Sequence, residues 1–252
     1  MTYAVDKDRP FLSIIIPLHN EQARMYESIT KVIRYGEKYL GSQFEILLVE
    51  NGSTDGTYLV AKHFAKTYRP VKAFTLAQRS KAQAVRHGML QARGVWRYMC
   101  DVDLSTPIEE LHQFMQFSKN GWDILIGSRE HKDARVQTTS KRWLIGRIFQ
   151  LLVRSFTGLH YSDTQCGFKL FNGSAAEHIF SHVQCTSMAF DVEVLYLADK
   201  LGYYCTELPV TWQNDPDTRV RLLADSWSML KDLARIRKLH SQAQPEYKKI
   251  PA

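Results

Sequence analysis

Five short apolar runs, each ending abruptly in a polar cluster, limit what this chain can fold into. Phe11-Leu12-Ser13-Ile14-Ile15-Ile16-Pro17 is rich in β-branched residues, as in strands buried on both faces of a parallel sheet. It stops at Pro17-Leu18-His19-Asn20-Glu21, and a helical period through Ile29, Val32 and Ile33 follows. Residues 44–49 repeat the arrangement and end at Glu50-Asn51-Gly52-Ser53-Thr54-Asp55-Gly56-Thr57. Residues 71–76 lead into Gln78-Arg79-Ser80-Lys81 and a helix reaching Ala92. Residues 95–100 form the fourth run, and 122–129 the fifth, which closes on Gly127-Ser128-Arg129. Strands alternating with helix-length segments predict an α/β fold with a largely parallel central sheet and right-handed crossovers. The polar clusters then share the carboxyl edge, where open α/β sheets bind ligands.

The fourth cluster is chemically the sharpest. Asp101 and Asp103 stand two apart where a strand gives way to a loop, and Pro107 opens an apolar-periodic helix from Ile108 to Phe117. Oxygen ligands on such a turn suit Mg²⁺ or Mn²⁺, which bind one or two carboxylates together with substrate phosphates. An exposed acidic turn would read the same way in isolation.

At 252 residues the chain can build one large domain with a substantial core. A net charge of +7 favours anionic partners: nucleotide diphosphates, lipid phosphates or an acidic membrane surface. Nucleic acid is disfavoured, because the basic residues are not interleaved with aromatics in an RNA-binding pattern. The scattered Cys100, Cys166, Cys185 and Cys205 read as reduced thiols of a cytosolic protein. No signal peptide and no apolar run of membrane-spanning length are expected. Residues 1–10 and 241–252 read as loose, flexible tails.

Taken in order, the clusters carry a resemblance. Pro17-x-x-Asn20-Glu21, Glu50 to Thr57, Lys81 with Gly88, Asp101-x-Asp103 and Gly127-Ser128-Arg129 resemble the motifs of family 2 glycosyltransferases of the GT-A type. Asp163-Thr164-Gln165-Cys166-Gly167-Phe168-Lys169-Leu170-Phe171 and Ala189-Phe190-Asp191-Val192-Glu193 resemble the polyprenyl (dolichyl) phosphate sugar synthase branch, most of all its dolichyl-phosphate β-glucosyltransferases. The likeness covers residues 11–213 and implies a single GT-A, Rossmann-like catalytic domain. Within it, 11–129 would bind the nucleotide sugar and 130–213 the acceptor, with an amphipathic helical segment at 214–240.

That resemblance implies an inverting, metal-dependent hexosyltransferase that moves glucose from UDP-glucose to a polyprenyl or dolichyl phosphate. GDP-mannose as donor and a hydroxyl acceptor are alternatives, and a non-catalytic nucleotide or nucleic-acid binding module is one of another class. Asp101 and Asp103 would hold Mg²⁺ or Mn²⁺, which offsets charge on the departing diphosphate. Ser105 stands where the family often has a metal-assisting Gln. Pro17, Asn20 and Glu21 would line the nucleotide pocket, and Glu50-Asn51 stands where the family usually has two Asp. Asp55 fits either the nucleotide or a helix N-cap, and Lys81 either the diphosphate or solvent.

A lipid phosphate is already ionised, so its binding calls for charge matching rather than a base, and arginine matches phosphate well. The resemblance assigns this to Arg129 and Arg142, with Arg147 a third candidate; the last two equally suit a solvated basic helix face. Asp191 and Glu193 stand where other members carry a base, or else position the sugar or Lys169. Asp163 contacts sugar hydroxyls or organises its loop. Two amphipathic helices, 142–159 and 220–239, suit either a lipid interface or docking on the sheet. The expected location is therefore the cytoplasmic face of a membrane, peripherally or through a membrane-anchored partner.

Overall fold

The computed structural model describes residues 9–137, 140–187, 189–213 and 222–241, with the backbone alone at 140–145 and 222–230. In chain order the strands are β1 (Leu12–Leu18), β2 (Phe44–Asn51), β3 (Val71–Leu76), β4 (Trp96–Met99), β5 (Ile124–Ser128), β6 (Arg135–Gln137), β7 (Lys169–Asn172), β8 (Cys205–Pro209) and β9 (Thr211–Gln213). The helices are α1 (Gln22–Leu40), α2 (Thr57–Thr67), α3 (Lys81–Gln91), α4 (Leu111–Phe117), α5 (Ser140–Thr157), α6 (Gly173–His182), α7 (Phe190–Leu201) and α8 (Leu222–Leu239). Seven strands form one sheet in the order β3-β2-β1-β4-β7-β5-β8, and β6 pairs with β9 beside it. Every residue of β1 and β2 is buried, as their apolar runs require.

All the sheet's pairings are parallel except those of β7, which runs against β4 and β5. Lys169, the first residue of β7, thus pairs with Met99 near the end of β4 and with Ile126 in β5. Side chains alternate between two cores. Ile14 and Ile16 point into one with Met25, Ile29, Phe64 and Phe114, from α1, α2 and α4. Ile15 points into the other with Val85, Ile179 and Leu195, from α3, α6 and α7. A Cβ on Gly88 would lie 2.4 Å from Ile15 Cγ2, so glycine there lets α3 close onto β1.

One boundary differs from the sequence reading. Residues 9 and 10 belong to the fold rather than to a tail: Arg9 Nε donates to Arg93 O at 2.7 Å, and Pro10 O accepts from Val95 N at 3.0 Å. Residues 1–8, 214–221 and 242–252 lie outside the described residues. The two amphipathic helices pack against each other and against the body. On α5, Phe149 and Val153 are buried, while Ile148 and Leu151 are 51% and 63% exposed. On α8, Leu233 and Ile236 are buried, and the buried His240 just beyond it meets Glu193 Oε1 at 2.7 Å. Docking thus accounts for one face of α5, and an exposed apolar side remains. Among the described residues no helix is long and apolar enough to cross a membrane.

Candidate active site

The carboxyl ends of β1 to β5 and the amino end of β7 meet at one edge. Beyond β4, the Asp101–Ser105 turn closes through Leu104 N to Asp101 O at 3.2 Å and Ser105 N to Asp103 Oδ1 at 2.9 Å. Leu104 adopts φ 49°, a left-handed conformation that costs a branched side chain energy and that clusters at functional sites. Asn20, in the loop after β1, does the same at φ 55°. Gly167 lies against the turn from the β7 side. A Cβ there would fall 2.0 Å from Asp101 Oδ2, so only glycine lets the backbone come this close. Tyr98, Asp101, Asp103, Gly167 and Trp212 line the resulting small pocket.

Asp101 meets Lys81 at 2.5 Å. Lys81 is the first residue of α3, whose start is fixed because Ser80 Oγ accepts from Gln83 N at 3.2 Å. Burial would raise the Asp101 carboxyl, but the charge and hydrogen bond of Lys81 together with the charges of Lys169 and Arg129 outweigh it and hold the group below its ordinary value. Asp103 is raised instead, by burial and then by the Asp101 charge. Two like charges this close favour a cation between them. Among the described residues no cluster of three or more His, Cys, Asp or Glu side chains is set to hold a metal. What the chain offers is the Asp101–Asp103 pair, and that donor set fits an ion which takes its remaining ligands from water and substrate phosphates. Burial pushes the nearby Cys100 and Cys166 thiols up to about 12 and 11, so both are inert.

Behind the turn lies a set of paired charges. Arg129, following β5, donates through Nε and Nη2 to Asp163 at 2.6 and 2.9 Å, and its backbone N–H to the same carboxylate at 3.1 Å. Asp163 is buried, and Glu207 on β8 holds its loop by accepting from Ser162 N and Asp163 N at 2.8 and 2.9 Å. The Arg129 guanidinium also lies 5.5 Å from the Trp212 ring. Lys169, 1% exposed, donates to Asp191 Oδ1 and to Cys166 O, both at 2.6 Å. Burial raises the Asp191 carboxyl despite that lysine. Glu193, fully buried, accepts from Gln184 N and Cys185 N, so it braces the loop before α7.

The loops after β1 and β2 are knitted together alongside. Asn20 Oδ1 accepts from Thr54 N at 2.8 Å, and Glu21 N donates to Thr57 Oγ1 at 2.8 Å. Asp55 accepts from Thr57 N at 3.0 Å and from Gln22 N at 3.2 Å; the N-cap position of α2 is Gly56 and not Asp55, whose carboxylate instead holds the first N–H of α2 and ties it to α1. The buried Glu50 accepts from Ser53 N and Thr75 Oγ1, and these bonds outweigh burial and hold its carboxyl below the ordinary value. Asn51 donates to Leu18 O at 2.8 Å and accepts from Ser80 N at 2.9 Å. It thereby joins this cluster to Lys81 and the carboxylates. Pro17, buried within β1, supplies backbone shape.

The structure thus brings Lys81, Asp101, Asp103, Arg129 and Asp191 to one place, with Asn20, Glu21, Glu50, Asn51 and Asp55 in an adjoining group. Arg147 faces Glu130 at 3.6 Å on α5, and the side chain of Arg142 lies outside the described residues. Sequence reasoning missed Trp212 and Glu207. Nothing local distinguishes either residue; each matters because β9 or β8 returns to this edge from far along the chain. Gly167 stood inside a quoted motif, but its closeness to Asp101 exists only in three dimensions.

The sequence profile of glycosyl transferase family 2 matches residues 13–180, and the chain belongs to that family. The fold agrees. Glucosyl-3-phosphoglycerate synthase from Mycobacterium tuberculosis with bound UDP superposes with a TM-score of 0.64 at 17% identity, covering 95% of this chain and 82% of that one. A Pyrobaculum calidifontis mannosyltransferase with GDP-Man and Mn²⁺ gives 0.60 at 16% identity, covering 92% and 71%. Within the family, the chain is similar to proteins named dolichyl-phosphate β-glucosyltransferase. That of Dictyostelium discoideum is 32% identical across 91% of this chain and 75% of its own length. The corresponding protein of Homo sapiens is 32% identical across 90% and 74%.

Proposed function

We propose that this glycosyltransferase moves glucose from UDP-glucose to the phosphate of a dolichyl or related polyprenyl lipid, with inversion, to give a β-linked glycosyl phospholipid. The observation that carries the reading is one sheet edge where the Asp101–Asp103 pair adjoins Arg129. That guanidinium gives two of its five N–H groups to the Asp163 side chain and retains others for a phosphate. The names of the family relatives support glucosyl transfer to dolichyl phosphate.

In this reading Asp101 and Asp103 hold Mg²⁺ or Mn²⁺, which supplies Lewis-acid stabilisation of the leaving diphosphate. The loops carrying Asn20, Glu21, Glu50, Asn51 and Asp55 shape the nucleotide pocket; Glu50, Asn51 and Asp55 act chiefly by fixing backbone. Lys81 meets the diphosphate. Arg129, with Arg142 and Arg147 farther along α5, draws in the lipid phosphate. An acceptor phosphate oxygen attacks the anomeric carbon as its bond to the UDP oxygen breaks, and UDP departs. An ionised phosphate needs no proton removed, so Asp191 serves by holding Lys169 and the 166–168 backbone. The exposed apolar side of α5, with Ile148 and Leu151, contacts the cytoplasmic face of the membrane that carries the acceptor.

The test incubates the protein with UDP-glucose, GDP-mannose and other nucleotide sugars, Mg²⁺ or Mn²⁺, and a short polyprenyl phosphate. A hexosyl polyprenyl phosphate, detected by mass with UDP-glucose, is expected. Product with GDP-mannose alone would reassign the donor, and no lipid product with any donor would overturn the reading.

A further inference from the structure

Lys81 stands where the site calls for a cation. Its ammonium lies 2.5 Å from Asp101 Oδ1, and the charges of Asp101, Asp191 and Asp103 together keep it protonated against the effect of burial. The side chain is 32% exposed, so it borders the cleft and has room to move. Its backbone has none: Ser80 caps α3, and the Ser80 N–H is held by Asn51 Oδ1. The other oxygen of Asp101 faces the Gly167 backbone. In this state Lys81 occupies Oδ1, and the Gly167 backbone crowds the side of Oδ2. An ammonium and a divalent ion on one carboxylate repel each other, so close approach of the second favours departure of the first.

We propose that Lys81 is an exchangeable internal counter-ion, which neutralises Asp101 before the donor binds and passes to the donor diphosphate when a divalent ion takes its position on Asp101. The inference rests on the assignment of Asp101 and Asp103 to a divalent ion. One ion pair is broken and two are made, so the exchange is favourable only when ion and diphosphate arrive together. An ion alone would leave the ammonium without its partner. Metal and diphosphate binding are then coupled through this side chain, and the coupling is reciprocal.

The test measures Mn²⁺ affinity by the paramagnetic resonance of free Mn²⁺, with and without UDP, for the wild type and for Lys81→Met. Without UDP, Lys81→Met should bind Mn²⁺ tighter by a factor of about five or more, the lower end of ordinary coupling between sites. The gain in Mn²⁺ affinity produced by UDP should shrink by a similar factor. In the wild type, Mg²⁺ with UDP should shift the Lys81 ammonium ¹⁵N resonance, assigned by its absence from Lys81→Met. Unchanged or weaker Mn²⁺ binding by the variant, an undiminished UDP effect, or an unmoved ammonium resonance would each overturn the exchange. Lys81→Gln replaces Lys81→Met should the latter's melting temperature show that it does not fold. Wild-type protein that holds no Mn²⁺ with or without UDP would overturn the ion assignment itself, a result distinct from normal Mn²⁺ binding that ignores Lys81.

Discussion

Gly167 and Asp101 share so little space that the smallest side chain would separate them. Gly167→Ala should leave the melting temperature within a few degrees of wild type, because the loop borders a cleft. It should reduce turnover by about a hundredfold, the scale of a 1 Å misplacement at a reacting centre. Steady-state assay alongside thermal melting checks this, and near-normal turnover would show that the turn adapts. Asp103→Asn should likewise spare the fold and lower turnover by at least about a hundredfold, as expected for loss of a major charge-stabilising group. Activity that survives both this change and EDTA would remove the metal-assisted chemistry. Arg129 serves two masters, since it also neutralises the buried Asp163. Arg129→Lys should therefore keep more stability than Arg129→Ala, while a point charge replaces the bidentate fork poorly in acceptor use.

At the scale of elements, α5 presents two faces with different work. Phe149 is packed and Leu151 is open, although both are apolar residues of one helix. Phe149→Ser should cost stability of the order of a core aromatic truncation, about 3–5 kcal/mol. Leu151→Ser should leave melting unchanged and weaken binding to anionic vesicles. The reverse pattern in calorimetry and flotation would move the membrane face elsewhere. Periodicity in the sequence made the helix legible but not its faces, because an interfacial and a docked helix need the same spacing. The strands β1, β2, β4 and β5 were legible for the opposite reason: burial on both faces leaves a nearly continuous apolar run. Edge strand β8 and the short pair β6 and β9 lack that signature. At the far edge of the sheet, Glu45 on β2 accepts from Ser13, Lys72 and the Arg93 amide, at 2.7, 2.8 and 2.7 Å. Burial opposes ionisation there, but these bonds outweigh it and hold the carboxyl below its ordinary 4.5. Its stabilisation is therefore complete above that pH and is lost as pH falls through the folded value. Glu45→Gln should lower the melting temperature at pH 7 and flatten its decline below pH 4.5. An unchanged acid slope would show that other carboxylates control it.

For the whole molecule, the proposed membrane contact would draw on two separable sources, the +7 charge and the apolar side of α5. Binding to anionic vesicles should fall with added salt yet persist above about 0.5 M, because screening removes the charge term and not the apolar one. Sedimentation with vesicles across a salt series checks this; complete loss would leave electrostatics alone. Topology carries a last consequence, for assembly. β7 is the wedge between β4 and β5, and it is made only after α5. Until residue 172 has emerged and reversed direction, β4 has an open edge and β5 has no neighbour on that side. The same insertion delivers Gly167 to Asp101 and sets Lys169 where Asp191 of α7 will meet it, so the site is completed only by the later part of the chain. A nascent or misfolded chain can thus present its first four strands intact while holding no competent cleft. An assembled cleft is therefore a mark that the late-made strands have joined the early ones.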